Sequence, residues 1–256
     1  MELMKIPSVI REKIDGKSYR QEDIGRSGSA VLMFDDMVLK IEKTCAAADN
    51  EYAILSWLDG KLQAPRVIAF ARDGGYNYLL MTRLSGVMAC EAGQDPAAVV
   101  RGLARGLQAL WTVDISDCPL LWDVDTKLAS AKERMATLSG KPEDAAFSDY
   151  ASLYAFLSEN RPKEELVFSH GDYCLPNVFL SGEEPCGFLD LGCAGIADKW
   201  YDIHMCLWSL RYNFCELGGM SEDDFAAYKT SFFEALSLEP NEEKLRYHAL
   251  LDEFFM

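Results

Sequence analysis

The chain has 256 residues, 49% of them apolar and 11% aromatic, which suffices for a buried core and argues against a disordered chain. A net charge of −16 disfavours nucleic acid as a partner, and no apolar run approaches the roughly 20 residues of a membrane span. Eight cysteines without a Cys-x-x-Cys pair, beside only three histidines, make a zinc site improbable; with no signal-peptide pattern at the start, a cytoplasmic protein with reduced thiols is expected.

In chain order, three strands are expected first: one ending near Ile24, one over residues 30–34 and one over 37–41, with Asp35-Asp36 as a tight turn. The Gly25-Arg26-Ser27-Gly28-Ser29 loop offers backbone freedom and exposed N–H groups, so Ser27 and Gly28 are candidate nucleotide contacts. Apolar residues recur at helical spacing over 51–62, and Pro65 ends any helix there. Residues 67–70 and 76–81 read as two more strands around Asp73-Gly74-Gly75, completing a five-stranded antiparallel sheet with one helix. After Leu84-Ser85-Gly86 the pattern becomes helical: 96–111 opening on Pro96, then 127–138 and 149–157, with a loop over 140–147. A β-hairpin is expected within 167–191, then helices over 198–212 and 223–236 and a last one capped by Asn241.

The fold class is therefore α+β, with an N-terminal nucleotide-binding lobe over 1–84 and a mainly helical catalytic and substrate-binding lobe over 85–256. Charge divides at the same place. Residues 1–84 carry 12 basic and 12 acidic side chains, so 85–256 carry 13 and 29 and hold the whole imbalance. An acidic lobe concentrates cations, which points to a cationic acceptor.

The most informative stretch is His170-Gly171-Asp172, four residues, Asn177, a short hairpin, then Asp190-Leu191-Gly192. This is the spacing of a protein-kinase-like phosphoryl-transfer site, in which one Asp meets the attacking hydroxyl and an Asn and a second Asp serve divalent metal. Asp172 is the candidate base, and Asn177 and Asp190 are candidate ligands of Mg2+, a hard cation that keeps waters and takes few carboxylates. His170 is read as structural. Lys40 stands among Val38, Leu39 and Ile41, an awkward place for an ammonium without a partner, and Glu51 at the front of the next helix is that candidate. Thr82 and Leu84, after the fifth strand, are placed to present backbone groups to an adenine edge. Asp198, Trp200, Tyr201 and Asp202 are read as support for the catalytic loop.

With these residues assembled, the sequence resembles the aminoglycoside 3′-phosphotransferases, small-molecule kinases of protein-kinase-like fold. The segments EELVFSHGD (164–172), NVFL (177–180), GFLDLG (187–192), ADKWYDI (197–203) and LLDEFF (250–255) carry the resemblance, as do WLDGKL (57–62) and DISDCP (114–119). It implies ATP and Mg2+ as cofactors and an aminoglycoside phosphorylated at its 3′-hydroxyl, conferring antibiotic resistance. It also implies Lys40 and Glu51 as the nucleotide-lobe pair and Asp172 as base. The acidic C-terminal helix, with Asp252, Glu253 and the carboxylate of Met256, would bind drug ammonium groups, and Glu143 and Asp144 in the preceding insert are further candidates. A monomer or weak dimer is expected. Cys193 stands where the family commonly has a basic residue, which leaves open another hydroxylated acceptor such as choline, a sugar or a macrolide. A nucleotide-binding pseudokinase is the remaining alternative.

Overall fold

The computed structural model describes residues 6–22, 29–91, 93 and 95–255. Helix α1 (Ser8–Ile14) precedes strands β1 (Arg20–Glu22), β2 (Ala30–Met33) and β3 (Met37–Lys43). Helix α2 (Ala46–Leu58) then leads to β4 (Val67–Asp73) and β5 (Tyr76–Thr82). The five strands form an antiparallel sheet in the order β1-β2-β3-β5-β4. Its alternation explains the placement of Lys40. Met37, Leu39 and Ile41 point to one face, where they pack with Ile10 and Ile14 of α1, so Val38, Lys40 and Glu42 point to the other. Thus two of the apolar neighbours expected around Lys40 lie across the sheet from it, and the sheet carries two helices rather than one.

The second part opens with β6 (Val87–Met88), α3 (Pro96–Trp111), α4 (Val124–Met135) and α5 (Tyr150–Glu159). Asp95 caps α3 by accepting the Ala97 N–H at 3.2 Å, and Pro96 fits the first turn because no intrahelical N–H is required there. Next come β7 (Leu166–Ser169), β8 (Val178–Ser181), β9 (Glu184–Phe188) and β10 (Gly195–Asp198), then α6 (Lys199–Arg211), α7 (Glu222–Leu236) and α8 (Glu242–Asp252). The expected hairpin is β8–β9, joined on one side by β6. The strand at 166–169 belongs elsewhere, in an antiparallel pair with β10.

The largest core runs from α2 and β5 through α3, the hairpin, α6 and α7. Tyr173 is its centre: wholly buried, it donates from its hydroxyl to Leu103 O at 2.8 Å, in space left by Gly106, where a Cβ would strike that hydroxyl. A separate cluster joins α4, α5 and α8. Among the described residues no helix is long and apolar enough to cross a membrane.

Candidate active site

Lys40 and Glu51 meet as expected. Lys40 Nζ lies 2.7 Å from Glu51 Oε2 and also 3.1 Å from Asp190 Oδ1, with Glu42 at 3.6 Å. Glu51 is 3% exposed and sits in the second turn of α2, because that helix starts five residues earlier than its apolar periodicity indicated. Burial works against the Lys40 ammonium, but Glu51, Asp190 and Glu42 outweigh it and hold its pKa above the ordinary lysine value. One cation thereby ties the sheet, α2 and the Asp190 turn together.

The hairpin brings the two candidate metal ligands into proximity. Val178 pairs with Phe188, and Leu189 donates its N–H to Asn177 O at 2.8 Å, so Asn177 and Asp190 leave the same end of the hairpin. Asp190 has φ 58°, in the left-handed region, which turns the chain into a single helical turn over Leu191–Cys193. That turn docks on α2: Asn50 donates to Gly192 O at 3.3 Å, and a Cβ at Gly192 would press on Ala47 O.

Asp172 is held from both sides. Its Oδ2 accepts Asn177 Nδ2 at 2.9 Å, and Cys174 Sγ lies 3.1 Å from Oδ1. The loop that carries it is anchored by Asp202, a fully buried carboxylate that accepts the N–H groups of His170 at 2.8 Å and Gly171 at 2.9 Å. Gly171, at φ 76°, passes so close to Cys193 O that a side chain there would collide with it. Ser209 Oγ accepts Leu175 N–H at 3.0 Å farther along the loop. His170 is buried, with Nδ1 accepting Asp172 N–H at 3.3 Å, a structural placement. Of the carboxylates expected to support this loop, Asp202 does so. Asp198 instead caps α6 and faces His248 Nε2 at 3.2 Å. No spacing signal in the sequence marks Cys174 as a neighbour of Asp172.

Asn177 spends its amide nitrogen on Asp172, which leaves the amide oxygen for a cation, and Asp190 spends one oxygen on Lys40 and keeps its side chain 59% exposed. One amide oxygen and one accessible carboxylate suit Mg2+ bound jointly with phosphate oxygens and water. Ser27 and Gly28 lie outside the described residues. At the hinge, Thr82 gives its N–H to Arg66 O at 2.9 Å, so only its carbonyl can serve an adenine edge, and Leu84 packs against Gly187. A cavity of about 340 Å3 opens behind this hinge, beside Leu55, Pro65 and Cys186, away from Lys40 and Asp190.

A second cavity, of about 210 Å3, is lined by Glu143, Asp144, Asp252 and Glu253 together with His204, Trp208 and Arg246. It unites the acidic residues expected on the acceptor side, although Met256 lies outside the described residues. Their states differ. Glu253 is buried and accepts the N–H groups of Glu143 at 2.6 Å and Asp144 at 3.3 Å, so it fixes the insert. Asp144 pairs with Arg246 at 3.2 Å. Asp252 accepts the Tyr201 hydroxyl at 2.7 Å, and burial pushes its pKa up. Burial pushes Lys127 down, its ammonium lying 3.5 Å from the centre of the Tyr201 ring, and burial also raises the Cys193 thiol nearby. Lys127, His204 and Arg246 were not singled out in the sequence, since each comes from a different helix with no local spacing to mark it.

Residues 19–244 match the model of the phosphotransferase enzyme family. The aminoglycoside 3′-phosphotransferase of Staphylococcus aureus is 36% identical over 241 residues, covering 91% of this chain and 88% of its own. That of Enterococcus faecalis is 34% identical over 241 residues, covering 91% and 87%. Among solved structures, aminoglycoside phosphotransferase APH(3'')-Id from Streptomyces rimosus, in complex with ADP and streptomycin, superposes with a TM-score of 0.79. It covers 100% of this chain and 99% of its own at 21% identity, a likeness of fold.

Proposed function

The chain belongs to the phosphotransferase enzyme family, and from that premise we propose that it transfers the γ-phosphoryl group of ATP to the 3′-hydroxyl of an aminoglycoside, giving antibiotic resistance. The observation that carries the reading is the junction at which Lys40, paired to Glu51, reaches Asp190 at 3.1 Å. The β8–β9 hairpin sends Asn177 and Asp190 out of one end, and Asn177 holds Asp172 beside them at 2.9 Å. The names of the relatives at 34% and 36% identity support the substrate and position, and the ADP complex of the Streptomyces rimosus protein supports a nucleotide donor.

In this reading residues 1–84 form the nucleotide lobe and 85–256 the acceptor lobe. Lys40 contacts the α- and β-phosphates, held in place by Glu51. The hinge carbonyl of Thr82 and the backbone of Leu84 meet adenine, and Ser27 and Gly28 belong to the loop over the phosphates. Asn177 and Asp190 hold Mg2+, which when bound supplies positive charge to the phosphate oxygens. Asp172 orients the acceptor hydroxyl and takes its proton as the oxygen–phosphorus bond forms and ADP leaves. Asn177 keeps the carboxylate from rotating away. Glu143, Asp144 and Asp252 receive acceptor ammonium groups, while Glu253 shapes the wall they stand on. The rate gain comes from positioning and charge, because a loose phosphoryl-transfer transition state asks little covalent chemistry of the protein.

The test is coupled ADP release with kanamycin, neomycin, amikacin, choline and a macrolide. Turnover with the aminoglycosides is expected, with the phosphate located at the 3′ oxygen by NMR of the product. No ADP release with any aminoglycoside at millimolar concentration would remove the substrate reading, and turnover with choline alone would move it to that acceptor.

A further inference from the structure

Trp208 and Tyr212 are one turn apart where α6 ends, and their rings stack with centroids 5.8 Å apart and planes 5° from parallel. Both face water, at 52% and 41% exposure, whereas Trp57, Trp111, Trp122 and Trp200 are all half-buried or buried. An exposed indole gives up the burial that usually stabilises a tryptophan, so its position needs another account. Trp208 lines the same cavity as Glu143, Asp144 and Asp252. It therefore presents an aromatic face beside a group of carboxylates.

The platform is also coupled to the catalytic loop. After Arg211 the helix widens into a turn with i to i+5 bonding over Tyr212–Leu217, and Asn213 donates to Ser209 O at 2.8 Å. Ser209 in turn accepts Leu175 N–H, three residues beyond Asp172. Ser209 thus links the segment that follows the aromatic pair to the loop that carries Asp172.

We propose that the Trp208–Tyr212 stack is a specificity-determining element of the acceptor cavity, taking the C–H face of an aminocyclitol or aminosugar ring whose ammonium groups meet the neighbouring carboxylates. The inference rests on the aminoglycoside reading above and adds how the ring itself is recognised. C–H groups next to an ammonium carry partial positive charge, and the negative face of an indole attracts them as it attracts a cation. Carboxylates alone would accept any flexible polyamine, and an aromatic face alone would accept any apolar ring. Together they select a rigid ring that carries both features.

The experiment compares the full chain with Trp208→Ala and Trp208→Phe, using kanamycin as probe. Trp208→Ala is expected to raise the KM for kanamycin about tenfold with the KM for ATP within about twofold of the parent, and Trp208→Phe to recover most of the loss. Titration of kanamycin in the presence of ADP is expected to change tryptophan emission saturably in the parent and not in Trp208→Phe, whose other four indoles lie elsewhere. An unchanged kanamycin KM in a folded Trp208→Ala protein, or an equal loss in both variants, overturns the proposal while leaving the aminoglycoside reading intact. A parent enzyme that phosphorylates no aminoglycoside overturns both.

Discussion

At the scale of single residues, the proposed base and the acceptor cavity make opposite predictions. Replacing Asp172 with Asn keeps the size of the side chain and an oxygen for Asn177, but removes the carboxylate that would take the proton. Turnover should fall at least a hundredfold, while ATP affinity measured by calorimetry stays near the parent value. Arg246 is the reverse case. Its guanidinium pairs with Asp144 at the cavity wall, and 57% of its side chain is exposed, so an incoming ammonium competes with it for that carboxylate. The Asp144 carboxylate does not depend on Arg246 for its position, since it also accepts Ala146 N–H at 2.8 Å. Arg246→Gln should therefore lower the KM for a polycationic acceptor about threefold, a modest gain as befits an exposed ion pair, and steady-state kinetics at low salt would read it.

At the scale of elements, α6 acts on the chemistry through Asp202 rather than through its N-cap. Asp202→Ala would leave the buried His170 N–H without an acceptor and the Gly171 N–H with Ser169 Oγ alone at 3.2 Å, a loss of about 2 kcal/mol in urea unfolding, with Asp202→Asn losing less because one acceptor oxygen remains. A larger proportional fall in kcat than in ATP affinity should accompany the loss, since the released loop carries Asp172. How far these elements were legible depends on whether their signal is local. The limits of α3 at 96 and 111 were readable because Asp95 and Pro96 mark one end and the apolar period runs unbroken. The first turn of α2 is not legible, because Ala46, Ala47 and Ala48 favour a helix without showing a face. Helix α1 spans only seven residues, too few for the recurrence of Ile6, Ile10 and Ile14 every four residues to mark a helix. The pairing of β7 with β10 was beyond reach, because nothing in a four-residue strand names its partner across 25 intervening positions. The same distinction holds for the site. Lys40, Asp172, Asn177 and Asp190 followed from short-range spacing, whereas Trp208, Arg246 and His204 gather on the cavity only once α6 and α8 have packed together.

At the scale of the whole molecule, two buried histidines should make stability fall as the pH drops from about 6.5. Burial, with His248 nearby adding to it, pushes the His204 pKa down to about 4, and burial also lowers His248 against the opposing pull of Asp198. The folded chain keeps these rings neutral where the unfolded chain, titrating near the ordinary value of about 6.5, takes up protons. Their contribution to stability is complete above about pH 6.5, declines as pH falls, and for His204 levels off below about 4. For His204 it is at most about 3 kcal/mol. Glu165, held down to about 2 chiefly by Lys199 with Trp200 and Lys244 adding, acts only below about pH 4.5. Melting temperatures of the parent and His204→Gln between pH 7 and 5 should therefore diverge, the variant losing less.

Lys40 bridges Glu51 and Asp190, and only residues 191–194 separate Asp190 from β10. In kinases that are switched on and off, the lysine–glutamate pair is assembled or broken by a long regulated segment at that point. Here no such segment intervenes, so the fold itself sets the pair. On the proposed reading the protein is constitutively armed, ready at the first encounter with its acceptor, and the amount of protein made is what would govern how much phosphorylation occurs.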